Sequence, residues 1–211
     1  MSGAELALRM RIRLLLHDTV RATGSSGSNA WELTEMNRNP ENVMADINTA
    51  LAASKEAVEQ LIASGERCGP GWAAPRAPGK WSPSQIVEHV ARSLEESANM
   101  AEGRPSKFPK LPGVVHPLVR GLLFRRVLRK GAFPKAKTNK AMNPVSGPGT
   151  AAEGRARLEA AHDRFDTACR HLASRDQRMR TSIFGVVPVV DYVRFMELHS
   201  RHHGKQITGA V

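Results

Sequence analysis

Apolar residues recur at three- and four-residue steps in four separate stretches of the chain, which is the period of an amphipathic α-helix. The inward positions are Ile47, Ala50, Leu51, Ser54, Val58, Leu61 and Ile62 in the first stretch, Ile86, Val90, Leu94, Ser97 and Ala101 in the second, Leu158, Ala161, His162, Phe165, Ala168 and Leu172 in the third, and Val189, Tyr192, Phe195, Met196, His199, His203, Gln206 and Ile207 in the fourth. The pattern predicts helices near residues 43–64, 83–102, 151–173 and 189–207. Because each helix must bury its stripe against the others, the predicted fold is all-α, an antiparallel four-helix bundle.

Two of these helices begin with a capping box, in which two side chains three residues apart each bind the other residue's backbone N–H. The second helix begins with Ser82, Pro83 and Gln85, and proline is favoured at the first helical position. The third helix begins with Thr150 and Glu153 in the same arrangement.

A long insertion, residues 103–149, separates the second and third helices and holds seven of the thirteen prolines. We expect a short helix over Pro117–Lys130, with Leu118, Leu122, Val127 and Leu128 facing inward, and irregular structure elsewhere. Loops of this length are uncommon in compact domains and are commonly functional. We expect the insertion to cover one end of the bundle.

The apolar run 184–188 is interpreted as a packed turn that leads into the fourth helix. A short strand is the alternative, although the sequence shows no obvious partner for it.

The first 42 residues lack sustained periodicity and include the run Gly24-Ser25-Ser26-Gly27-Ser28, a composition that orders poorly. We therefore expect a poorly ordered tail over residues 1–42 and a bundle domain over residues 43–211. No apolar run is long enough for a membrane span or placed as in a signal peptide, so a cytoplasmic location is expected. The two cysteines, Cys68 and Cys169, lie far apart and are interpreted as inert thiols.

Two histidines occupy the apolar stripe of the fourth predicted helix. His199 and His203 are four residues apart, so both imidazoles can reach one point, as in helical metal sites with a His-x-x-x-His pair. His202 lies at the edge of this face and is a weaker candidate. Histidines in the last turns of a helix also bind terminal carbonyls and favour the negative end of the helix dipole. These residues alone support both interpretations about equally.

A third histidine, His89, lies at the boundary between the apolar and polar faces of the second helix. A residue there suits a ligand at the mouth of a cleft better than a buried structural histidine. His89 is near the start of its helix, whereas His199 and His203 are near the end of theirs, so antiparallel packing brings the three to the same end of the bundle. By contrast, His162 on the third helix is interpreted as a core histidine with a hydrogen-bond partner.

No other catalytic motif is evident, since the chain has neither a glycine-rich phosphate loop nor a Gly-x-Ser-x-Gly elbow. No carboxylate is an obvious general base. Glu88 and Glu197 neighbour candidate ligands along the chain but lie on other faces of their helices, and Glu96 is better placed.

The formal net charge of +11 is concentrated in one segment. Residues 103–152 hold eleven Lys and Arg and no Asp or Glu, so this segment alone equals the whole net charge. Such a field attracts anions and weakens with salt, which suggests an anionic ligand, membrane surface or nucleic acid as partner. Nucleic acid is disfavoured because Phe108, Phe124 and Phe133 are scattered and offer little surface for base stacking.

The stretch 81–90 (WSPSQIVEHV), followed by Phe184-Gly185 and by 199–207 (HSRHHGKQI), resembles the DinB-like superfamily of four-helix bundles over about residues 43–209. The resemblance implies a divalent metal ion, for example zinc, nickel or iron, bound by His89, His199 and His203. It also implies a metal-dependent transferase that uses a low-molecular-weight thiol, or a hydrolase, acting on a small molecule. The charge of the basic insertion is expected to bias the pocket toward anionic substrates. The long basic insertion departs from the minimal family pattern. The alternatives are a non-catalytic protein that binds an anionic partner through its basic segment, and a bundle that acts through a protein partner; a homodimer is also considered.

Overall fold

The computed structural model describes residues 40–134 and 138–209, and the proposed tail, apart from residues 40–42, lies outside these described residues. The bundle belongs to a compact unit that spans Asn39–Val211. Its four long helices are α1 (Pro40–Glu66), α2 (Pro83–Ala101), α5 (Ala151–Ala173) and α6 (Val189–Thr208), and two shorter helices, α3 (His116–Val119) and α4 (Arg125–Lys130), lie between α2 and α5. The all-α class and the four predicted helices are confirmed, although α1 begins at Pro40, a few residues earlier than expected.

The capping boxes form as expected and set the first turns of α2 and α5. Ser82 Oγ accepts a hydrogen bond from the Gln85 N–H, and the Ser82 N–H donates to Gln85 Oε1. Thr150 and Glu153 make the same reciprocal pair. The predicted stripes of α2 and α5 are buried, as are nearly all the predicted positions of α1 and α6, so the core lies between the four helices.

Cross-helix contacts fix the helix directions. Glu66 at the end of α1 meets Arg155 at the start of α5, so α1 and α5 are antiparallel. Ser97 near the end of α2 meets Tyr192 near the start of α6, so α2 and α6 are also antiparallel.

The helices α2 and α5, however, run parallel. Arg157 on α5 binds Glu95 on α2, and about two turns further along the chain in each case Arg164 binds Glu102. Parallel neighbours require a connection that returns along the helix, and the 19 residues of α2 span about 28 Å at about 1.5 Å per residue. Residues 103–149 make this return and are called the crossover below.

The short helix expected within the crossover is present as α3 and α4. Of its predicted inward positions, Val127 is buried, but Leu122 was predicted incorrectly. A π-helical turn, Arg120–Phe124, joins α3 to α4. The wider turn shifts the helical phase, so that Phe124 is buried and Leu122 is exposed. Phe124 packs with ring centroids 5.0 Å from Phe184 and 5.2 Å from Phe195.

The apolar run before α6 is a strand, which corrects the interpretation as a packed turn. Strand β2 (Gly185–Val187) pairs antiparallel with β1 (Met179–Thr181). The partner was missed because β1 lies at the end of a polar segment and is only three residues long. Gly185 has φ +72°, which suits the turn, and a Cβ there would lie 3.0 Å from His116 Nδ1.

Among the described residues, no helix combines the length and the apolar character needed to cross a bilayer.

Candidate metal centre

The three histidines expected to converge do so at one end of the bundle. The Nε2 atom of His199 lies 3.4 Å from Nε2 of His89 and 3.1 Å from Nε2 of His203. One candidate ligand atom from each residue lies within 4.8 Å of the other two. The antiparallel packing of α2 and α6 produces this arrangement, because it brings the early part of α2 against the late part of α6.

These distances suit a shared metal ion. Nitrogens bound to one zinc at about 2.0–2.1 Å in a tetrahedral arrangement lie about 3.3 Å apart. The two observed separations, 3.1 and 3.4 Å, bracket this value. All three ligand atoms lie within 4.8 Å of one another, so the donor set is close to the arrangement that a shared divalent ion requires.

Hydrogen bonds leave the Nε2 lone pairs of two rings available. His89 Nδ1 lies 2.7 Å from the carbonyl oxygen of Met142, which can only accept, so Nδ1 carries the proton. His203 Nδ1 lies 2.8 Å from Gln206 Oε1, and the amide of Gln206 donates in turn to His202 Nε2 at 3.1 Å. Such outer hydrogen bonds fix the tautomer and orientation of ligand histidines.

His199 lacks this support. Its Nδ1 is buried and has no hydrogen-bond partner among the described residues. In the described part of the chain, no ring nitrogen of His199 or His203 forms a hydrogen bond with a terminal carbonyl of α6. The helix-end interpretation of these two residues therefore has no support in the described part of the chain.

Burial keeps the three imidazoles neutral. It lowers the pKa of His199 and of His203 well below the ordinary value, and the neighbouring imidazoles lower both further. Burial also lowers the pKa of His89, although the hydrogen bond to Met142 raises it in part. Neutral imidazole is the form that binds metal.

Two aromatic side chains enclose the cluster. The Trp81 ring centroid lies 4.8 Å from that of His89 and 6.2 Å from that of His203. From the crossover, Phe133 lies edge-on to His199 with the centroids 5.6 Å apart. These rings exclude water from the imidazoles and lower the local polarity.

The carboxylates next to the candidate ligands point away, as expected. Glu88 binds Arg92 and Arg157, and Glu197 binds Arg201.

Glu96 lines a cavity of about 380 Å³ under the crossover, together with Met142. Its Oε2 accepts hydrogen bonds from the Lys107 N–H and the Asn99 amide. Met142 thus connects this cavity to His89.

His162 lies on the inner face of α5, outside the cluster. It is buried as predicted, and its Nε2 has no hydrogen-bond partner in the described part of the chain, so this nitrogen does not provide the expected hydrogen bond.

Comparison with known families places these features in context. The model of the DinB superfamily matches residues 66–207, which include the crossover and all three histidines. No curated protein and no solved structure matches the chain.

Proposed function

The chain belongs to the DinB superfamily, and from this we propose that His89, His199 and His203 bind one divalent metal ion in a metal-dependent enzyme. The observation that carries the proposal is the approach of three Nε2 atoms, two of which have lone pairs left free by bonds at Nδ1. Zinc, nickel and iron all suit imidazole ligands.

The proposed reaction is transfer of a low-molecular-weight thiol or a hydrolysis, on a small thiol-bearing or anionic substrate. A divalent ion held by three imidazoles keeps a position open and acts as a Lewis acid that lowers the pKa of a thiol or water bound there. Other residues of the chain support this site. The Met142 carbonyl and Gln206 Oε1 orient two of the imidazoles, and Trp81 and Phe133 each exclude bulk solvent from one side.

Metal analysis of the purified full chain tests the binding site. We expect about one divalent ion per chain, and His199→Ala should remove it while the helical circular dichroism signal persists. His171→Ala is the matched control, because His171 is an exposed histidine of α5 outside the cluster. A His199→Ala variant that retains as much metal as His171→Ala would refute the site.

Catalysis needs a separate measurement. We expect thiol conjugation of an electrophile, or hydrolysis of an ester or amide, to require the ion and to be lost in His199→Ala but not in His171→Ala. Equal rates in the two variants would reject the enzymatic role, but they would not count against the proposal that the histidines bind metal.

A further inference from the structure

The net positive charge of the protein equals the charge of the crossover. The crossover contains eleven Lys and Arg and no acidic residue, so the rest of the chain, with twenty basic and twenty acidic residues, has no formal net charge. On the four long helices, arginines are paired with carboxylates: Arg92, Arg155, Arg157, Arg164, Arg170 and Arg201 each lie within 4.0 Å of one. The bundle is therefore close to neutral, whereas the crossover carries a net positive charge, although its Arg104 lies 3.1 Å from Glu102.

Helix α4 displays much of this charge on its outward side. Arg125, Arg126, Arg129 and Lys130 are all exposed, whereas Phe124 and Val127 are buried. No carboxylate of the described residues lies within 4.0 Å of Arg126, Arg129 or Lys130. The packing of Phe124 on α6 fixes this orientation.

An apolar residue accompanies these charges. Leu122, in the turn before α4, is 39% exposed. Next to it, an open groove of about 470 Å³ is lined by Gly121, Arg125, Leu128 and Arg129. We call Leu122 with the four basic residues of α4 the basic face.

We propose that the basic face docks on an anionic lipid surface. Guanidinium groups bind phosphate through paired hydrogen bonds, and clusters of four or more basic residues on a helix are typical of proteins that bind anionic lipid. Leu122, together with Leu128 in the lining of the groove, suits the glycerol and first acyl carbons below a phosphate headgroup. This docking is independent of the histidine cluster.

Nucleic acid fits the basic face less well. Base stacking requires exposed aromatic rings, and no aromatic side chain of the described crossover residues is exposed. Phe124 and Phe133 both pack against Phe195 instead.

Co-sedimentation of the full chain with lipid vesicles tests the proposal. We expect binding to vesicles of phosphatidylcholine with about a third phosphatidylserine, little binding to phosphatidylcholine alone, and weakening between low and high salt. Arg126→Gln with Arg129→Gln should reduce the partition coefficient about 30-fold, since each basic residue near such a surface contributes about fivefold. Leu122→Ser should reduce it several-fold without a change in salt dependence.

The control removes the same charge elsewhere. Lys55→Gln with Lys205→Gln changes two exposed lysines of the bundle and should alter vesicle binding less than twofold. The proposal is overturned if both double variants bind equally or if neutral vesicles bind as well as anionic ones. It is also overturned if soluble glycerol phosphate displaces the vesicles at equal phosphate concentration, or if an oligonucleotide binds more tightly than the vesicles.

Discussion

Gly147 allows the crossover to rest directly on the first turn of α2, and Gly147→Ala should disrupt that contact. A Cβ at position 147 would overlap the carbonyl oxygen of Ser84 and would lie 2.5 Å from its carbonyl carbon and its Oγ. Because the opposing atoms include helical backbone, the crossover must move away. The adjacent carbonyl of Pro148 accepts hydrogen bonds from Ser84 Oγ at 2.7 Å and Trp72 Nε1 at 2.9 Å, and both would lengthen.

The loss in the free energy of unfolding expected for Gly147→Ala follows from these contacts. Two hydrogen bonds contribute about 0.5–1.5 kcal/mol each, and overpacking a close contact costs about 1–3 kcal/mol. Because moving the crossover relieves part of the clash, we expect a total loss of about 2–4 kcal/mol in the free energy of unfolding. For a domain of this size that corresponds to a melting temperature lower by about 10 °C.

Thermal and urea unfolding of two comparison variants separate the causes. Gly113→Ala introduces the same methyl group where nothing lies within 4 Å, so its stability should change by less than about 0.5 kcal/mol. Ser84→Ala removes one hydrogen bond without a clash and should cost about 1 kcal/mol. If Gly147→Ala unfolds at the same temperature as Gly113→Ala, the close approach has no energetic consequence and the reasoning is wrong.

Two further predictions concern the metal centre and the surface of the bundle. Gln206→Leu removes the acceptor for His203 Nδ1 and should weaken metal affinity about 10–100-fold, measured by competition with a chelator; unchanged affinity would show that Gln206 does not orient His203. The hydrogen bond from Arg164 lowers the pKa of Glu102, so this carboxylate stabilises the fold above its unfolded-state pKa and loses that contribution as pH falls through its folded-state pKa. The difference in melting temperature between the native chain and Glu102→Gln should therefore shrink in acid, and a difference that stays constant from neutral pH to about pH 3 would contradict this assignment.

The long helices could be predicted from the sequence because each one carries its information locally. A stripe such as Ile86, Val90 and Leu94 reports both the helical period and the buried side. Capping residues report where a helix begins. The position of each histidine along its helix is read directly from the sequence. Once α2 and α6 were assumed to be antiparallel, it followed that the three histidines meet at one end of the bundle.

The crossover could not be predicted in the same way. The π-helical turn changes the phase between Leu122 and Phe124, and hydrophobicity alone does not reveal such a turn. The strand at Gly185–Val187 was ambiguous because its partner contains polar residues. Phe133 contacts His199 across a separation in sequence that no local pattern records.

The acceptor of the hydrogen bond that orients His89 does not depend on the type of residue at position 142, because it is a main-chain carbonyl. Every amino acid at position 142 supplies that oxygen, so an alanine scan would pass over it and related sequences could differ there without losing the contact. Removing or inserting one residue between Asn139 and Pro148 would displace this carbonyl relative to His89 by up to about 3.3–3.6 Å, the length of one fully extended residue. Selection on this part of the site therefore acts on the length of the segment, and insertions or deletions are the changes to which it is most sensitive.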